Sequence, residues 1–389
     1  MPKLKSFFRG FLRPRIAACV LGTIAAAVAA GCIWTRHVGP TRIALVNFRD
    51  FQFAEMLDSD DPRAWVKLDR IDLAKLAATD LRRYDAAFFF GRGLNLDEHQ
   101  QATVRRAIAA GARVYVHGAT NAASDMTDLA GDDLKRVSAY FENGGRKNLA
   151  SLFRYARRNL DGKAVFAPEP DEPEVIPSDA LFHLGGRFFG TVDDYQAFYE
   201  SNGRFRPGRP KVALLTSIFG PRNPNLGSMG ALVDALEKRG LNVYPIAGFL
   251  KRLDFVREIG PDLVVYVPHG RLAPGKADEA IAYLKENGVP LLCPLTVQEE
   301  YASWVGSQKG MEGGLLSQNV VMPELDGGAE PFTVGALFPD ERGLNVPGAV
   351  LDRVETFASR VEKWLALRSK PNAEKKLAIV YYKGPGQNA

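Results

Sequence analysis

Apolar and polar positions along this chain fall into a repeated strand-then-helix rhythm. The stretch "TRIALVNF" (41–48) predicts a buried strand, as do "DAAFFFG" (85–91) and "ARVYVHG" (112–118), each a short apolar run closed by glycine or a polar residue. Between the last two, "LDEHQQATVRRAIAAGA" offers Asp97 as an N-cap, a helical body and Gly111 as terminator. Residues 124–160 are helical in pieces broken at "ENGGRKN". The Pro- and acid-rich "APEPDEPEVIP" (167–177) predicts a loop or linker.

The rhythm then restarts. "RPKVALLTSIF" (209–219) predicts a strand, followed by a helix (227–240), the strand "LNVYPIAG", the strand "PDLVVYVPHG" (261–270), a helix (276–288) and "VPLLCPL" (289–295). Strands that alternate with helices and are apolar throughout belong to parallel sheets covered on both faces. The run 349–368 carries Val350, Val354, Phe357, Val361, Trp364 and Leu365 on one helical stripe and closes the unit. A basic residue followed by an apolar run recurs as "RIALV", "KVALL" and "KLAIV" from residues 42, 211 and 376, spaced by about one domain.

The expected architecture is therefore α/β. It comprises a basic tail and membrane anchor (1–35), an α/β domain (36–165), a linker (166–180), a second α/β domain (181–370) and the first strand of a third unit (371–389). The anchor rests on "IAACVLGTIAAAVAAGCIW" (16–34), which is uncharged over a length that spans roughly 28 Å as a helix. A cleaved signal peptide, or lipoprotein-type processing at Cys32, are the alternatives. Five basic residues precede residue 16 and no acid occurs before Asp50. The positive-inside bias then leaves the tail in the cytoplasm and puts the body on the extracytoplasmic, periplasmic side, the cytoplasmic face being the alternative.

The charge excess of +5 sits in that tail, and the remainder is balanced, which removes the case for nucleic-acid binding. Of three cysteines two lie in the apolar segment, so no disulfide framework or zinc-type pair is expected, and Cys293 reads as a small buried residue. "GRG" (91–93) and "GPG" (384–386) lack the third glycine of a dinucleotide loop, and no P-loop is present, so no nucleotide-binding residue is assigned.

Candidate chemistry is confined to four places. "SIFGPRNPNLGSMG" (217–230) joins a strand to a helix, where backbone N–H groups favour an anionic arm or form a plain connection. His269 lies just past a strand's carboxyl end, the usual place for sites in such sheets, or is a solvated loop histidine. His183 and Arg187, among aromatics in "ALFHLGGRFFG", suit a macrocycle by stacking and carboxylate pairing, or His183 is a satisfied histidine at a domain interface. In "VMPELDGG" (321–328), Glu324 and Asp326 in extended chain point the same way, to share a cation or to serve turn chemistry.

Several stretches together resemble the large, tetrapyrrole-binding subunits of cobaltochelatase (CobN) and of magnesium chelatase. They are "FHLGGRFFGTVDDYQAFYE" (182–200), "MGALVDALEKRGLNVYPIAGFLK" (229–251), "EEYASWVGSQKGM" (299–311), "VVMPELDGGAEPF" (320–332) and "VEKWLALRSKPNAEKKLAIVYYKGPGQNA" (361–389). The resemblance implies the N-terminal part of a longer chelatase subunit, which forms nitrogen–metal bonds. A corrin or porphyrin and a metal ion (Co, Mg or Fe) would be its substrates, and ATP would be used only by separate AAA+ partner subunits. It places the catalytic residues beyond residue 389 and leaves this fragment inactive alone. His183, Arg187 and His269 become candidate tetrapyrrole contacts. The N-terminal span instead resembles a membrane-attached haem dechelatase (HmuS-like) branch. A non-catalytic periplasmic-type ligand-binding module is the remaining alternative.

Overall fold

The computed structural model describes residues 14–165, 167–183, 187–216 and 226–380. It divides into two compact units, residues 1–175 and 176–389.

The first unit is built on four parallel strands, β1 (Thr41–Val46), β2 (Val66–Ile71), β3 (Ala86–Phe90) and β4 (Arg113–His117), in the order β2-β1-β3-β4. Side chains of a strand alternate between faces, and both faces of β1 are buried. Ile43 and Leu45 pack with Val137, Phe141, Leu152 and Phe153 from the helices Gly131–Asn143 and Gly145–Tyr155. Ala44 and Val46 pack with Val104 and Ala107 of the helix Glu98–Ala109. That helix starts where the sequence predicts: Asp97 Oδ1 accepts the Gln100 N–H at 2.8 Å, and Gln100 Oε1 accepts the Asp97 N–H at 3.0 Å.

The second unit holds a seven-stranded sheet. Its strands are β5 (Ala180–His183), β6 (Arg187–Phe189), β7 (Lys211–Thr216), β8 (Asn242–Ala247), β9 (Leu263–Val267), β10 (Leu291–Leu292) and, later in the chain, β12 (Gly328–Ala329). Their order is β12-β10-β9-β7-β8-β5-β6. All pair in parallel except the β5–β6 hairpin, which is antiparallel on the β8 edge. Val212 and Leu214 of β7 face the helix Leu226–Lys238 and the closing helix Leu351–Ser369, while Ala213 and Leu215 face the helices Arg252–Ile259 and Ala277–Glu286. A small third sheet of β11 (Leu295–Glu300), β13 (Thr333–Pro339) and β14 (Asn345–Ala349) is centred on Val297, Ala336 and Val350.

The sequence repeat at residues 42 and 211 is a structural repeat. β1 and β7 are the first strands of the parallel set in their domains, and each is flanked by the next parallel strand on one side and the one after it, the third of the set, on the other. An aspartate before the third strand clamps the start of each. Asp85 Oδ2 accepts the Arg42 N–H at 2.8 Å while the Asp85 N–H donates to the Arg42 carbonyl at 2.9 Å. Asp262 and Lys211 make the same pair of bonds, at 2.9 and 2.8 Å.

Two expectations change. A helix, Pro14–His37, does form in the apolar N-terminal segment, but among the described residues no helix is long and apolar enough to cross a membrane. The transmembrane anchor is thus not supported; the described side chains of that helix are those of 19–31, Trp34 and His37. At the other end, residues 376–380 form no strand, and Leu377, Ile379 and Val380 are exposed. A strand needs a neighbour to receive its backbone hydrogen bonds, and none lies beside this segment among the described residues. Gly384 to Gly386 lie outside the described residues.

Candidate functional site at the carboxyl edge of the second sheet

Because β7 has β8 on one side and β9 on the other, the connections that follow these strands leave the sheet in opposite directions. The crevice so created at the carboxyl ends is where open α/β sheets bind ligands. The loop after β7, which includes most of the expected anion cradle, lies outside the described residues; only its helix from Leu226 is seen. The loop after β9, Pro268-His269-Gly270, is fully described. Pro268 has no N–H to continue the ladder, and Gly270 adopts a φ of 94° that favours glycine. His269 stands exposed between them.

This loop is held from several directions. The His269 N–H donates to Tyr266 Oη at 3.2 Å, and the Gly270 N–H donates to the Gln318 carbonyl at 2.8 Å. Next along the chain, Arg271 Nε donates to Asp326 Oδ1 at 2.7 Å and the Leu272 N–H to Asp326 Oδ2 at 2.6 Å. From the other side Arg252, 1% exposed, donates from Nη1 to the Leu272 carbonyl at 2.9 Å and to Tyr266 Oη at 3.2 Å, and from Nε to the Gly248 carbonyl at 2.5 Å. Its plane also faces the Tyr266 ring, 5.3 Å from the centroid. Asp179 closes the neighbouring loop after β8: its Oδ1 accepts N–H bonds from Phe249, Leu250 and Lys251.

The pairing expected of Glu324 and Asp326 does not occur. Met322–Leu325 is a helical turn, not extended chain, so Glu324 points to solvent while the Asp326 side chain is fully buried. Asp326 spends its oxygens on Arg271 and Leu272, which makes it a loop clamp in place of a cation ligand. Among the described residues no group of three His, Cys, Asp or Glu could hold a metal ion. Cys293 is buried as expected, and burial, with the Asp326 charge as a smaller cause, pushes its thiol well above the usual range.

His183 and Arg187 lie elsewhere. Ala180 pairs with Ala247 at the carboxyl end of β8, and the antiparallel β5 then runs back toward the amino ends. His183 is therefore carried away from the edge that bears His269. Its ring is buried edge-on to Phe198 at 5.1 Å, and the exposed Arg187 lies over the Phe198 and Phe189 rings at 5.0 and 5.6 Å. Arg187, Phe189 and Phe198, together with Asp194 and Ser201, line an open groove of about 540 Å³, which His183 does not reach. The structure thus offers two separate places: an aromatic groove with Arg187, and a clamped loop with His269.

Arg252 and Arg271 were not singled out in the sequence. A buried arginine in "GFLKRLDF" has the same pattern as a solvated one, and the only hint is its place just after a strand's carboxyl end.

A family model described as CobN/Magnesium Chelatase matches residues 138–389. The aerobic cobaltochelatase subunit CobN of a Sinorhizobium species is 25% identical over 281 residues, covering 68% of this chain and 22% of its own length. The chloroplastic magnesium-chelatase subunit ChlH of Oryza sativa is 27% identical over 241 residues, covering 55% and 17%. Among solved structures, the catalytic subunit of cobaltochelatase from Mycobacterium tuberculosis is similar in fold, with a TM-score of 0.58 at 18% identity over 86% of this chain and 28% of that one. The chain spans about a fifth of the length of the curated relatives it matches.

Proposed function

Since this chain belongs to the CobN/magnesium chelatase family, we propose that it supplies the N-terminal α/β part of a chelatase large subunit that holds a tetrapyrrole for metal chelation. ATP hydrolysis is supplied by separate partner subunits. The carboxyl edge of the second sheet is the tetrapyrrole contact, and the observation that carries this reading is the exposed His269 on a loop clamped by Asp326, Arg252, Tyr266 and Gln318.

The chemistry of the edge suits such a ligand. Leu316, Val321 and Leu325 are exposed on the segment that bonds to Gly270, and Phe249 and Leu250 are exposed on the loop after β8. Apolar side chains left in water gain about 25 cal/mol for each Å² that a flat macrocycle covers. Arg271, about a third exposed, retains donors for a peripheral carboxylate. Metal insertion removes protons from pyrrole nitrogens, and an imidazole is suited to ligate the metal substrate or accept a proton.

Absorbance titration of the chain with a metal-free porphyrin tests the assignment. Saturable binding is expected, weakened at least tenfold by His269→Ala and unchanged by Arg187→Ala. The reverse ranking would move the contact to the Phe198 groove, and no binding of any macrocycle would reduce this part of the subunit to scaffold.

A further inference from the structure

The two domains correspond residue by residue at the strand beside the switch point. Asp85 and Asp262 make the same clamp, β3 and β9 are each five residues long, and the triplets Gly91-Arg92-Gly93 and Pro268-His269-Gly270 follow them. Gly93 and Gly270 both have positive φ, 70° and 94°. Arg92 therefore occupies in the first domain the place that His269 occupies in the second. All four strands of the first sheet precede residue 138, so the family match does not extend to them.

We propose that the carboxyl edge of the first domain's sheet is a second binding site, for a ligand bearing an oxyanion, a carboxylate or a phosphate, with Arg92 as its cation. The register sets Val46 beside Phe89 and Phe90 beside His117, so Asn47, Arg92 and His117 follow one another across the β1–β3–β4 edge. Asn47, in a left-handed conformation at φ 63° that costs a non-glycine residue free energy, is fixed by its Nδ2 donating to the Phe90 carbonyl at 2.8 Å. Gly118, at a φ of 65° that favours glycine, packs against the Arg92 stem. Thr120 Oγ1 accepts the Gly93 N–H at 3.0 Å and donates to the Gly91 carbonyl at 3.4 Å, which ties both glycines of the triplet to one side chain.

The local carboxylates are engaged elsewhere. Asp50 pairs with Arg70, and Asp125 accepts from Thr127 Oγ1 at 2.7 Å. Among the described residues Arg92 has no carboxylate within ion-pair distance, and it is exposed to solvent. The substitution of Arg for His at the equivalent position places a permanent, bidentate cation there, which selects for oxyanions.

The test is calorimetric titration of the whole chain with inorganic phosphate and, separately, with succinate, at matched ionic strength in sodium chloride. Saturable binding of at least one is expected, weakened tenfold or more by Arg92→Ala and untouched by His269→Ala or by Arg105→Ala, a control on a surface arginine of the neighbouring helix. Phosphate alone or succinate alone identifies the oxyanion. No saturable heat with either, or equal affinity for wild type and Arg92→Ala, overturns the proposal; since Arg92 is exposed, unchanged circular dichroism is expected for that variant.

Discussion

At Asp326 a carboxylate in a glycine-rich turn forgoes solvent and cations to hold two donors of another loop. Asp326→Ala would leave the Leu272 N–H buried without a partner and release Arg271, whose partial exposure limits its share. A loss of about 2 kcal/mol is expected, read as a lower urea midpoint. If the residue were a cation ligand, added divalent metal would raise the wild-type midpoint and not the variant's; no such difference is expected. The sequence marked this residue as special but not its role, because a buried aspartate's partners are decided by a loop more than fifty residues earlier, where Arg271 looked like an ordinary surface charge. Arg252 was hidden for the same reason: apart from Tyr266, its hydrogen-bond acceptors are carbonyl groups, which leave no side-chain signature.

Among the elements, those buried on both faces were the ones legible in the sequence. β1, β3, β4, β7, β8 and β9 are largely apolar runs, the helices 98–109, 226–238 and 277–286 form where helices are expected, and 351–369 carries the expected stripe. Asp97→Ala, which removes the observed cap, should cost about 1 kcal/mol of first-domain stability, measurable by denaturant melts against Glu98→Ala as a control. The edge strand β2 was missed because "VKLDRI" buries only its ends and presents charges to solvent between them. β5, β6 and the β11–β13–β14 sheet are short, irregular or partly exposed, and their existence depends on partners distant in sequence. "KLAIV" errs in the opposite direction: it has the composition of a strand but no neighbouring strand among the described residues.

For the molecule as a whole, the buried tyrosines of the second domain make stability depend on alkaline pH. Burial pushes Tyr244 up to about 12, and Tyr195 and Tyr199 higher still. Above pH 10 the unfolded chain releases phenolic protons that the folded domain keeps, so stability present below pH 10 is lost as pH rises toward 12 and beyond. Thermal melts at stepped alkaline pH should show a steep fall above pH 10, with tyrosinate absorbance lagging behind until the protein unfolds; simultaneous early titration of every tyrosine would contradict this. The two-domain α/β plan was visible in the alternation of apolar runs. The strand order was not, since crossovers of similar length can return to either side of the first strand.

The twin aspartate clamps also bear on how the chain reaches this structure. Each closes a contact 43 or 51 residues apart using the same pair of bonds, one between backbones and one from a backbone N–H to the carboxylate, so a newly made first strand from one repeat can be met by the aspartate of the other. Such cross-registered pairs are a characteristic misassembly hazard of tandem repeats. What opposes it is side-chain bulk: "AAFFF" and "LVVYV" fill their cores differently, so a swapped strand would leave voids on one sheet and clashes on the other.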